Sequence, residues 1–333
     1  MSSEPNPDSA YSPAQVAEYL AHLGLPPSFH PSANPVLDLT YLTSLFVHHI
    51  TTIPYENLTI HYSPEHAISL DPQVLFDKIV TNGPHRGRGG YCMEVAILFN
   101  HMLRALGFAD AYTAGVRVRP RVNAIPQGDF AGWVHLVNIV TLPPSSPGSR
   151  AQKFALDVGF GGDGPTMPLP LVDGLVHHNS IGTQEIRLVY DFIPGQRFRG
   201  DGAHKSWIYQ YRNGVDKEWN PFYAFPDVEF RELDFGMLNY YVSQAPESFQ
   251  TFTPLVTKFL RSESAEGPKV TGKIMLVNGD VKRNVTGKTE LVKSCASESE
   301  RVEALREHFG IVLTPEEAAS IKGRVVELGA TVA

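Results

Sequence analysis

Cysteine is nearly missing from this chain: Cys92 and Cys295 are the only two in 333 residues. Two thiols cannot form the bridge framework of small secreted domains, so the chain reads as a protein of a reducing compartment, expected in the cytoplasm. CxxC and HExxH runs are also missing, so no metal centre is expected, and His85 and the His177-His178 pair are only weak metal signals. No stretch approaches the ~18 consecutive apolar residues that cross a bilayer. The opening MSSEPNPDSAYSP lacks a basic segment followed by an apolar run, so neither a membrane span nor a signal peptide is expected. The sequons at Asn57 and Asn284 then read as coincidental, because glycosylation needs secretion. Basic charge is scarce too: 28 Lys and Arg face 35 Asp and Glu, a net charge of -7. A nucleic-acid-binding face is therefore not expected.

What is present is ordinary globular material, 42% hydrophobic and 19% charged. At roughly 150 residues per domain the length predicts two or three units. Residues 1–11 are polar and proline-rich and read as a disordered tail. Ser12-Pro13 is an N-cap followed by proline at the first helical position, and Val16, Tyr19, Leu20 and Leu23 recur at helical spacing until Gly24. Residues 37–50 and 72–80 read as further helices, the latter capped by Asp71. The run 91–106, closed by Gly107, gives the strongest helix signal. Residues 12–108 are thus predicted as a helical unit.

After Gly107 short β-branched and aromatic runs alternate with Gly, Pro and Ser clusters, which is strand chemistry. Residues 109–235 are predicted as a β-barrel or sandwich, with 142–152 as a surface loop. Residues 236–333 return to mixed elements. Asn278-Gly279 between two strand-like runs predicts a hairpin, and Thr314, Pro315 and Glu317 open a last helix over 314–328 with a capping box. Helices, then strands, then both together define an α+β protein.

The segment Arg88-Gly89-Gly90-Tyr91-Cys92 opens the strongest helix. A first-turn sulfur lies near unpaired N–H groups at the positive helix end, which stabilises negative charge on it. The two glycines permit close backbone approach and positive φ. A cysteine nucleophile needs a base. In Gly132-Trp133-Val134-His135, the period of two puts Trp133, His135, Val137 and Ile139 on one interior face. Asp157, inside the apolar run Phe154–Val158, is costly unless paired. It can accept an N–H from His135 on the adjacent strand, as a Cys-His-Asp triad requires. Arg117, Arg119 and Arg121 alternate and read as one strand face. Gly159-Phe160-Gly161-Gly162-Asp163-Gly164 fits GxGxxG, but Pro165 follows it, so no helix receives a dinucleotide; its glycines make room beside Asp157.

These segments, in the order RGGYC, GWVH and LDVGFGG, resemble the hallmarks of arylamine N-acetyltransferases. Pro54-Tyr55-Glu56-Asn57-Leu58 is similar to that family's Pro-Phe-Glu-Asn-Leu element, and Leu305–Ile311 to its C-terminal helix. The resemblance covers roughly residues 15–325, and the 142–152 loop is similar to that of fungal members. It implies a helical bundle, a central β-barrel and a C-terminal α/β lid, with Cys92 as nucleophile, His135 as base and Asp157 as orienting carboxylate. Tyr55 and Phe160 would line an aromatic acceptor pocket. Ala131, Gly132 and Trp133 would lie beside coenzyme A. No permanent cofactor is implied; the cosubstrate would be acetyl-CoA or malonyl-CoA, and the acceptor a small arylamine or arylhydrazine. A thiol hydrolase or transglutaminase-type activity is the alternative that the same triad allows.

Overall fold

Ser12 caps the first helix as its sequence requires. Its side chain accepts the Gln15 N–H, and the Gln15 side chain accepts the Ser12 N–H. The computed structural model describes residues 9–122, 125–144, 146, 148–264 and 267–329. Most of the expected tail lies outside them. Ser9–Tyr11, however, are packed: Ser9 donates to the His101 carbonyl, and Tyr11 is buried with its hydroxyl on the Pro72 carbonyl. Residues 9–11 are therefore packed and not part of a tail, because a tyrosine ring in the core outweighs the polarity around it.

The helices are α1 (Pro13–Leu23), α2 (Leu39–Thr52), α3 (Leu58–Tyr62), α4 (Pro72–Phe76), α5 (Gly83–Arg86), α6 (Cys92–Leu106), α7 (Glu232–Gln244), α8 (Phe249–Phe252), α9 (Glu298–Ala304) and α10 (Pro315–Ala319). Two expectations shorten. Helix 72–80 stops as α-helix at Phe76 and continues through a wider turn over Asp77–Thr81. The last helix has its capping box on Thr314 and Glu317 but ends at Ala319, short of the glycine at 323 that breaks the pattern.

The strands are β1 (Tyr55–Glu56), β2 (Tyr112–Val118), β3 (Arg121–Val122), β4 (Ile125–Pro126), β5 (Trp133–Leu142), β6 (Gln152–Leu156), β7 (Leu169–Pro170), β8 (Val176–His178), β9 (Gln184–Asp191), β10 (Ser206–Asn213), β11 (Asn220–Phe225), β12 (Leu255–Ser262), β13 (Lys269–Val277), β14 (Asp280–Val285) and β15 (Lys288–Ser294). Eight form one antiparallel sheet in the order β7-β6-β5-β2-β11-β10-β9-β8. It curls around one core that includes Val116, Val137, Ile139, Leu169, Ile186 and Tyr209. Asn179 draws the two ends of the ladder together, accepting the Thr166 N–H and donating to the Gly164 carbonyl. This is the expected barrel unit. Its outer face packs on α6, where Asn138 Nδ2 donates to the Ala96 carbonyl at 3.1 Å.

The second sheet, β1-β12-β13-β14-β15, carries the Asn278-Gly279 hairpin between β13 and β14, with Asn278 at φ 55°. Its edge strand β1 comes from the helical unit. The core beneath it mixes Leu58 and Tyr62 with Leu276, Leu305, Phe309 and Ile321. Fully buried Arg301 closes that core, donating to the Tyr62 hydroxyl at 2.7 Å and the Val326 carbonyl at 2.9 Å. The C-terminal unit is therefore laced into the helical one through non-local pairing, which linear boundaries do not convey.

Candidate active site

Cys92 is the first residue of α6, and the helix start is prepared locally. Glu94 Oε2 accepts the Tyr91 N–H at 3.0 Å. Neither Gly89 nor Gly90 has positive φ, contrary to the expectation from their flexibility. What they supply is room. A β-carbon on Gly89 would fall 1.8 Å from the Pro54 carbonyl oxygen, and one on Gly90 2.6 Å from Glu94 Cβ. The Arg-Gly-Gly approach is thus a backbone crossing against Pro54, and Gly90 bridges Tyr55.

Arg88 anchors that crossing. Buried, it donates to Glu56 Oε1 at 2.9 Å, to Thr59 at 3.0 Å and to Glu317 at 2.9 Å. Lys78 bridges Glu94 at 2.7 Å and Glu56 at 3.6 Å. Burial alone would raise the Glu56 carboxyl; Arg88 and Lys78 override it and hold the group at about 2. Asn57, also buried, accepts the Leu255 N–H and donates to Gln250 and the Thr253 carbonyl, which rules out a sugar there. The Tyr-Glu-Asn-Leu element is thus the support for the cysteine loop.

His135 and Asp157 meet as expected. Nε2 lies 2.9 and 3.0 Å from the two Asp157 oxygens. The Gly159 N–H also donates to that carboxylate, and the Tyr223 ring lies 6.3 Å from the His135 ring. The Cys92 sulfur lies beside the same imidazole and favours its charged form. Burial pushes the imidazole down, but Asp157 and the Cys92 sulfur outweigh it and hold the group at about 10. Gly159 lets the Asp157 and Cys92 segments touch, since its position is closed to a β-carbon by Cys92 itself.

Trp133 departs from the period-two reading. The β2–β5 register shifts between Val116 and Arg117: His135 pairs with Val116, but Trp133 pairs with Arg117. This bulge inserts one residue, so Trp133 turns to the face opposite His135. There its ring meets Phe230 at 5.2 Å and lies 3.9 Å from the Arg117 guanidinium carbon. Ala131 and Gly132 are exposed beside it. Arg117, Phe130 and Trp133 face residues 193–196 and 203–206 across a cleft of about 610 Å³. The arginine face also dissolves: Arg117 sits in β2, Arg119 donates to the Gly128 and Pro221 carbonyls, and Arg121, in β3, pairs with Asp163.

Tyr55 is buried, and Gln250 Nε2 donates to its hydroxyl at 2.6 Å. Phe160 stacks edge-on against His135 at 5.3 Å and against Phe222 at 4.7 Å. Phe160 thus adjoins His135, while Tyr55 adjoins the cysteine loop through its bridge to Gly90. Sequence reasoning missed Gln250, Tyr223 and Lys78, none of which carries a local signal. Among the described residues no cluster of three or more metal-ligating side chains occurs, and no helix is long and apolar enough to span a membrane.

Fold and site together define an α+β protein in which a helix-start cysteine, an imidazole and a carboxylate converge. A family model described as N-acetyltransferase matches residues 38–318, and the chain belongs to this family of acyl-transferring enzymes. Among curated relatives it is similar to the N-malonyltransferase FDB2 of Gibberella moniliformis, 31% identical and covering 93% of this chain and 92% of the relative. It is also similar to the arylamine N-acetyltransferase of Escherichia coli, 30% identical over 65% of each chain. The fold matches the arylamine N-acetyltransferase of Salmonella typhimurium with a TM-score of 0.71 at 24% identity, covering 92% of this chain and 97% of the other. A Mycobacterium marinum arylamine N-acetyltransferase structure in complex with CoA matches with a TM-score of 0.67 at 24% identity, covering 92% and 98%.

Proposed function

We propose that this enzyme carries an acyl group from acyl-CoA to the nitrogen of an arylamine or arylhydrazine through an acyl-cysteine on Cys92. The observation that carries this reading is His135, held by both oxygens of Asp157 and kept charged beside the sulfur of Cys92 at the start of α6. With its pKa held at about 10, the imidazole keeps its proton at neutral pH beside the sulfur. The Cys92 thiolate attacks the thioester carbonyl. First-turn N–H groups of α6 stabilise the oxyanion. The bond to the CoA sulfur breaks, and the leaving thiolate takes the His135 proton. The amine then attacks the acyl-cysteine and gives a proton to neutral His135, and the Cys92 thiolate leaves. Charge and protons return to their starting state after each cycle.

Tyr55 and Phe160 flank the reacting pair and form the acceptor pocket. Trp133 lines the cleft of about 610 Å³, which is assigned to CoA, and Ala131 and Gly132 are exposed just before it in the chain. The donor is acetyl-CoA or malonyl-CoA, since the curated relatives named above include both acetyl and malonyl transferases. No resident metal is required, and the cytoplasm is the compartment that suits two free cysteines.

Incubation with each thioester and an arylamine, read as free thiol release, tests the reading. Amine-dependent release, together with an acylated Cys92 peptide seen by mass spectrometry before amine is added, supports it. Release that persists in Cys92→Ala, or no acyl adduct in the wild type, sinks it.

A further inference from the structure

We propose that Lys78 is a positioning residue for the nucleophile: its ammonium cancels the charge of Glu94, so that the start of α6 can carry a thiolate at Cys92. This deepens the acyl-transfer reading above, on which the role of Cys92 rests. Past Phe76 the chain leaves α-helical geometry and winds through the wider turn Asp77–Thr81. Such insertions recur at functional sites. From that turn Lys78 Nζ stands 2.7 Å from Glu94 Oε1 and 3.6 Å from Glu56 Oε1.

Glu94 is bound into the cysteine loop. Its other oxygen accepts the Tyr91 N–H at 3.0 Å, and Tyr91 directly precedes Cys92. The side chain folds back over Gly90, where a built β-carbon would lie 2.6 Å from Glu94 Cβ and 3.0 Å from Oε2. Bond lengths alone then keep the carboxylate within roughly 8 Å of the Cys92 Cα. Two other side chains feel both charges. Burial first, and then the charges of Cys92 and Glu94, push the Tyr55 and Tyr91 hydroxyls well above their ordinary range.

The charges around this loop balance in pairs. Glu56 and Glu94 are both buried carboxylates. Arg88 answers Glu56 at 2.9 Å and spends its other donors on Thr59 and Glu317; Lys78 answers Glu94. Burial raises the Glu94 carboxyl above its usual range, Lys78 pulls it back, and Glu56 raises it again. From the barrel comes His135, held by Asp157. These two, with Tyr55, Tyr91, Arg88 and Glu56, stay unaltered in the variants below. Without Lys78 a carboxylate remains near the sulfur with its offsetting charge removed, and like charges in a buried site disfavour one another.

The test is the pH midpoint of Cys92 alkylation by iodoacetamide in the full chain, read by peptide mass spectrometry so that Cys295 is counted apart. Lys78→Met is expected to raise the midpoint by about one pH unit, the size of an uncompensated charge at this range. Glu94→Gln, which leaves the ammonium without its partner, should lower it by a similar amount. The double variant Lys78→Met with Glu94→Gln should return to the wild-type value, and Lys78→Arg should keep it. Damage to packing would move both single variants the same way, so opposite shifts that cancel in the double variant report charge. Each midpoint is taken at a temperature where circular dichroism shows the variant folded. Should Lys78→Met fail to fold, adding it to Glu94→Gln makes the same comparison, with the midpoint expected to rise. Unmoved midpoints, or shifts of one sign in both single variants, overturn the proposal. Absence of a Cys92 acyl adduct with these shifts intact would remove the acyl-transfer reading alone.

Discussion

Gly159 lies against Cys92 so closely that a β-carbon on it would fall 2.9 Å from both the Cys92 Cα and its carbonyl oxygen. The obstacle is backbone, which cannot rotate aside. Gly159→Ala should therefore displace the segment after Asp157, whose carboxylate accepts the Gly159 N–H. The expected outcome is a stability loss of about 1–3 kcal/mol, typical of overpacking, with a fall in acyl transfer out of proportion to the folded fraction. Urea unfolding beside thiol-release rates measures both; unaltered transfer would show that the contact is relaxed easily.

The Arg88–Glu56 pair makes a sharper stability prediction. Glu56 is fully buried and Arg88 nearly so. Arg88→Ala leaves a buried carboxylate short of its main partner, which costs about 3–5 kcal/mol. Glu56 is held at about 2, below its unfolded value. Its contribution is therefore complete above the unfolded carboxyl range and is lost as pH falls through about 2. Acid titration of wild type and Glu56→Gln should show the extra stability of the wild type only on the neutral side.

His135 works in the opposite direction. Its pKa is raised to about 10 in the folded protein, so its contribution is complete below the unfolded value of 6.5 and is lost as pH rises through 10. A Tm series should decline across that window in the wild type, and the decline should vanish in His135→Gln. The same variant should lose Cys92 alkylation by iodoacetamide at pH 7, because the neighbouring positive charge is gone. Equal alkylation rates at pH 7 would contradict the ion pair.

Tyr11 tests the N-terminal boundary. Its ring is buried, 5.4 Å from Phe76 and 5.6 Å from His101. Tyr11→Ala is expected to cost about 3 kcal/mol, at the lower end for aromatic truncation, measured by chemical denaturation. A tail in the ordinary sense would give no change.

What the sequence disclosed was local. Ser12, Asp71 and Thr314 announced their helices through side-chain caps, and Asn278-Gly279 its hairpin through turn chemistry. Cys92, His135 and Asp157 were legible because each sits in a short run with its own logic. Trp133 was misplaced because a bulge, set by pairing with Arg117, cancels the alternation on which the prediction relied. Gln250 reaches Tyr55 across 195 positions and Lys273 reaches Asp163 across 110. Nothing within a window of neighbouring residues encodes such meetings; they exist only once two sheets are in place.

The two-residue strand Tyr55–Glu56 has a bearing on modularity. It is the edge of a sheet whose other strands all lie beyond residue 254, and it also bridges Gly90 beside the cysteine loop. The last third of the chain is thus not a detachable cap. Grafting residues 236–333 from a relative would sever one ladder and change the wall on which Tyr55 rests. Chimeras that exchange this part should work only when the Pro54–Leu58 segment travels with it, so inheritance of substrate preference in such hybrids would follow two distant stretches moving as one.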